Sequence, residues 1–137
     1  MKCVIVMAGL CAALAACNSS DGAGYTAMQA QEGAAMRFEA RDVVGMLNPV
    51  CPYTTDPAQQ ARYEEPKARY EAVKEWVDGK PLATDLAAVE ADYAYYWTIN
   101  QATCGSPDTP ETIAELDRNM QVLDQRLTRM EELAGMM

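Results

Sequence analysis

"TPETIAELDRNMQVLDQRLTRMEELA", residues 109–134, decides the fold class. Ile113, Leu116, Met120, Leu123, Leu127, Met130 and Ala134 recur at alternating steps of three and four. That spacing lays side chains along one stripe of an α-helix and makes a seam of three heptads. Between them stand mainly Asp, Glu, Arg and Gln, so the helix has one dry side and one wet side. Thr109 is a capping residue, Pro110 suits the first turn, and Glu111 complements the positive end of the helix dipole. A helix that is apolar along one stripe must bury it against other elements.

Upstream segments supply those elements. Residues 31–47 read as a helix with Met36, Ala40, Val43 and Leu47 on one face and a stop at Asn48-Pro49, weakened by Gly33 and Gly45. A second helix opens at Asp56-Pro57 and runs to Val77 before "DGKP" (78–81), its stripe being Tyr63, Tyr70, Val73 and Val77 with Trp76 beside it. Pro66 on that stripe's side is expected to kink or restart it. Thr84-Asp85 opens a third, reaching Gln101 or Ala102. No segment alternates with period two between hairpin signals. The expected fold is all-α, an up-down-up-down four-helix bundle with one disulfide, spanning residues 31–137.

The first sixteen residues carry Lys2 and then an uncharged stretch too short for a bilayer, which needs about 20 apolar residues. They read as a cleaved export signal. Its end, Leu14-Ala15-Ala16-Cys17, resembles the lipobox of bacterial lipoproteins. The resemblance implies that Cys17 receives a diacylglycerol, that the chain is cut before it, and that its new N-terminus is acylated, for instance by palmitate. Several acyl chains on one residue make a stable anchor, whereas one binds only marginally. In lipoprotein sorting, Asn18 after the cysteine favours the outer membrane. Residues 17–30 are expected to form the lipidated cysteine and a flexible tether, a small, polar, Gly-bearing composition that continues to Ala34.

Loss of residues 1–16 would remove Cys3, Cys11 and Lys2 and take the formal charge from −9 to −10. So acidic a domain repels nucleic acid and anionic head groups, which leaves lipid as the means of membrane attachment. With Cys17 acylated, Cys51 and Cys104 remain, in a compartment that oxidises exposed thiols. They are expected to bond. Zinc would need four Cys or His ligands, and the chain has no His. In an up-down-up-down bundle the loops after the first and third helices share a pole, so the pairing and the topology agree.

The third helix is unusual. Residues 93–97, "YAYYW", hold four of the ten aromatic residues. Tyr93, Tyr96 and Trp97 share a sector with Leu86 and Val89, expected to face the core. The opposite side carries Ala88, Ala91, Tyr95, Ile99 and Ala102, where a bundle helix normally shows charge. Either the helix is buried on both sides or this strip receives a partner. A sugar-binding aromatic platform would need polar neighbours, and only Asn100 and Gln101 are near.

Catalytic chemistry is scarce. His is absent, Ser19, Ser20 and Ser106 have no positioned base nearby, and adjacent carboxylates such as Glu64-Glu65 and Glu131-Glu132 point about 100° apart on a helix. Neither a calcium loop nor a phosphate-cradling glycine loop occurs. The expectation is a non-enzymatic protein without cofactor, metal or small-molecule substrate. It would face the periplasm from the outer membrane and bind another envelope protein. In layout, a small lipidated helical bundle with a disulfide from the end of the first helix to the region before the last, it resembles the pilotins of type II secretion. That resemblance implies an escort role, binding the C-terminal segment of a secretin. The alternatives are an inhibitor of a cationic cell-wall hydrolase, for which the acidity speaks, and a purely structural envelope lipoprotein.

Overall fold

The computed structural model describes residues 26–100, 103–105 and 108–137. Its elements are α1 (Ala27–Leu47), the single turn α2 (Pro57–Gln60), α3 (Glu64–Val77), α4 (Pro81–Ile99) and α5 (Pro110–Leu133). No strand occurs among the described residues. One apolar core draws on all four long helices, with Met36, Val43, Val73, Val77, Leu86, Leu116, Leu123, Leu127 and Met130 nearly inaccessible. The all-helical class stands.

α5 follows its sequence closely. The Thr109 hydroxyl accepts from the Thr112 backbone N–H at 3.2 Å, and the Thr112 hydroxyl accepts from the Thr109 N–H at 2.9 Å, so two end groups are satisfied reciprocally. Leu116, Leu123, Leu127 and Met130 are fully buried, and Ile113, Met120 and Ala134 are partly so.

α1 begins at Ala27, inside the stretch expected to be tether. The reason is a second capping box: Thr26 accepts from the Gln29 N–H, and the Gln29 side chain accepts from the Thr26 N–H at 2.8 Å. Its Gly33 serves a close approach. A methyl group there would lie 2.5 Å from the Asp85 carboxylate.

α4 likewise starts earlier than Thr84-Asp85 suggests. Gly79, at φ 72°, makes the turn, and Pro81 takes the first helical position. Asp85 is therefore no cap. It is buried one turn inside, where its Oδ1 accepts from Arg37 Nη1 at 2.7 Å.

The second expected helix is divided. Asp56 caps α2, a 3-10 turn follows at Ala61–Tyr63, and α3 restarts at Glu64. Pro66 then falls in the first turn of α3, where its missing N–H has no helical acceptor to lose.

Contacts fix how the helices run. Arg37 meets Asp85, Gly45 meets Tyr93, and Asn48 meets Trp97, so α1 and α4 point the same way. Arg62 meets Asp117, Arg69 meets Asp124 and Glu131, and Trp76 meets Ala134, so α3 and α5 do likewise. The tight turn 78–80 joins the end of α3 to the start of α4. Thr26, that turn and the end of α5 thus lie at one pole, while Asn48 and the end of α4 lie at the other. Cys51 and Cys104 belong to the second pole and stand at disulfide distance, with Cα atoms 5.4 Å apart.

Candidate functional site

The C-terminal half of α4 combines exposed aromatic surface with a wide cleft. Leu86 and Val89 enter the core as expected and Tyr93 is half-buried, but Tyr96 and Trp97 remain 45% and 41% exposed. The expected core sector is therefore corrected at its end. α1 stops at Leu47, and Trp97 already reaches past it to Asn48, so the last turn of α4 outruns its packing partner.

Polar contacts hold this end in place. The Tyr93 hydroxyl and the Trp97 indole N–H both donate to the Asn48 carbonyl, the latter at 3.1 Å. A carbonyl that follows the last turn of α1, and cannot be used within it, is thereby satisfied twice. Tyr93 and Tyr96 pack with ring centroids 5.8 Å apart, and Asn100 donates to the Tyr96 oxygen.

On the other side of α4, Ala88, Ala91, Tyr95 and Ile99 are all exposed, Tyr95 by 66% and Ile99 by 62%. The helix is not buried on both sides. Ala102, the remaining member of the strip, lies outside the described residues, as does Cys17. Charge is sparse along this helix because two of its three carboxylates are engaged inward: Asp85 with Arg37, and Glu90 with Lys74 at 2.9 Å and the Tyr70 hydroxyl at 2.7 Å. Asp92 is exposed beside the strip.

Beside this end opens a cleft of about 890 Å3 between α1, α3 and α4. Val44, Leu47, Tyr93, Ala94 and Trp97 give it an apolar wall, and Lys67, Glu71 and Glu90 bring charge to it. Burial and then the bond to Glu90 push the Tyr70 hydroxyl well above its ordinary value. The hydrogen bond from Lys74 to Glu90 holds the ammonium high. At Glu90, burial acts to raise the carboxyl, but the bonds from Tyr70 and Lys74 outweigh it and the net direction is down. These groups keep their usual charges at neutral pH and form a clasp between α3 and α4.

A smaller cleft of about 260 Å3 adjoins it, sharing Leu47 and Lys67 and walled by Pro49, Pro52, Tyr53 and Tyr63. Tyr53 and Tyr63 stack at 6.3 Å. Among the described residues the buried Tyr63 hydroxyl has no hydrogen-bond partner, and burial pushes it up to about 12. Sequence reasoning missed both clefts. Their walls come from α1, the loop before α2, α3 and α4, and no local spacing records that convergence.

Among the described residues, no cluster of three or more His, Cys, Asp or Glu side chains could hold a metal ion, and no helix is long and apolar enough to cross a membrane. No family model, curated protein or solved structure matches the chain.

Proposed function

We propose that this chain is a non-enzymatic lipoprotein, anchored through Cys17 on the periplasmic side of the outer membrane, whose up-down-up-down bundle docks another envelope protein on α4. The observation that carries the reading is the exposure of Tyr95 and Ile99, set among Ala88 and Ala91, on a helix with little free charge. Small residues allow a partner helix to approach closely, and a tyrosine and an isoleucine supply anchors. The common direction of α1 and α4, with Cys51 beside Cys104 at one pole, supports the topology.

Orientation supports the role as well. α1 has 21 residues and spans about 30 Å, so Tyr95 and Ile99 sit roughly that far from Thr26, the end that leads to Cys17. An anchored domain standing on that end presents the strip to the periplasm. Such a protein would serve as a scaffold or as an escort of the kind pilotins are.

The test is site-specific photocrosslinking in intact cells, with a photoreactive residue at Tyr95 or Ile99 and a control at the exposed Gln125 of α5. A discrete adduct from the first two positions and none from the third is expected. Equal labelling at all three, or none, would sink the docking face. Adducts that vanish with modest salt would instead favour an electrostatic partner such as a cationic hydrolase.

A further inference from the structure

We infer that the pole opposite the disulfide, built around Trp76 and Lys80, rests on the lipid surface and stands the domain upright on its membrane. The inference depends on the lipid anchoring proposed above but concerns a different surface from the strip on α4. Trp76 is 48% exposed although its indole N–H is fixed, donating to the Ala134 carbonyl at 2.9 Å. The Lys80 ammonium lies 4.6 Å from the centre of its ring. An apolar ring with a cation above it suits the boundary between acyl chains and head groups, where tryptophan is enriched and lysine reaches outward to phosphate.

The same pole exposes Met28, in the first turn of α1, by 69%, and Met137, beyond the end of α5, by 79%. Both are long, flexible apolar side chains with no core to enter.

Chain length selects lipid as the occupant. Eight residues, Asn18 to Tyr25, separate Cys17 from Thr26. Whatever their conformation, covalent geometry limits the span from Cys17 to Thr26 to about 32 Å. α1 adds about 30 Å before Asn48 is reached. The disulfide pole could touch the bilayer only with the linking residues stretched nearly to their limit alongside the domain. The Trp76 pole meets it over most of the available range, at high effective concentration. Glu75, Asp78 and Glu132 are exposed near this pole, so the favoured surface is zwitterionic and not anionic.

The two tryptophans stand at opposite poles and make the test direct. Full-length protein extracted from membranes, as wild type, Trp97→Phe and Trp76→Phe, is reconstituted into phosphatidylcholine vesicles with brominated acyl chains, floated on a density gradient and read by fluorescence. The expected result is flotation of all three, with heavy loss of Trp76 emission in Trp97→Phe and little loss of Trp97 emission in Trp76→Phe. Flotation with Trp76 unquenched overturns the inference and leaves the anchor standing. Quenching of Trp97 in its place overturns it by showing the opposite pole against the bilayer. Failure to float removes the anchor and the inference together.

Discussion

α4 and α5 are both long helices packed on one core, and they use their apolar residues in opposite ways. α5 spends nearly all of them on one stripe, where Leu116, Leu123, Leu127 and Met130 are fully buried. Its outer side carries ion pairs to neighbouring helices, among them Asp124 and Glu131 to Arg69, and Arg126 to Glu39. α4 buries only Asp85, Leu86 and Val89 completely and leaves Tyr95, Tyr96, Trp97 and Ile99 in the open. A core takes from each helix what its neighbours can cover. Apolar residues in excess of that become surface, and surface of that kind is where a partner gains by burial.

The contrast can be broken at the joint between the two helices. Reducing Cys51–Cys104 releases a loop of about 50 residues, and the chain-entropy model puts the loss at about 4 kcal/mol. Chemical denaturation with and without reductant measures it. Hydrogen exchange should then show the end of α4 opening before α5, since it has the thinner packing.

Truncation within the α5 seam comes next. Leu127→Ala should cost about 3 kcal/mol because a fully buried side chain leaves a cavity. Ile99→Ala, on the exposed strip of α4, should move the unfolding midpoint hardly at all. Equal losses would mean that the strip is covered within the monomer.

Gly33→Ala tests the join between α1 and α4. Its methyl group would press on the Asp85 carboxylate, which is held by Arg37, and about 2 kcal/mol should be lost. In an Asp85→Ala background the same substitution should be nearly harmless, and a double-mutant cycle reports the coupling.

Tyr95→Glu with Ile99→Glu sharpens the comparison from the functional side. Stability should stay within about 0.5 kcal/mol of wild type, since both side chains are solvated, while crosslinking to the partner is lost. An unfolded double variant would place the strip in a core.

The smallest effect is expected from acid. Glu90 has a lowered folded value, so its clasp contributes stability above the ordinary carboxylate value of about 4.3, and that contribution fades as pH falls through the lower folded value. Glu90→Gln should flatten the pH dependence of the melting midpoint below pH 5 only slightly, because the group is still partly exposed and water screens its ion pair.

Local sequence determined the helical class, the seam of α5 with its Thr109 cap, and the stop of α1 at Asn48, since each depends on side chains three or four positions apart. It also placed the strip of Ala88, Ala91, Tyr95 and Ile99 opposite Leu86 and Val89, because helical phase needs no partner to be read. The start of α1 was legible too, in Thr26 and Gln29, but composition rich in glycine and small residues masked it. Three things awaited the tertiary structure. Whether the strip is covered depended on where α1 ends relative to α4. The role of Gly33 depended on Asp85, which lies 52 positions away. The cleft beside Trp97 exists only where α1, α3 and α4 converge. Burial is a property of neighbours in space, and a helix records only its own phase.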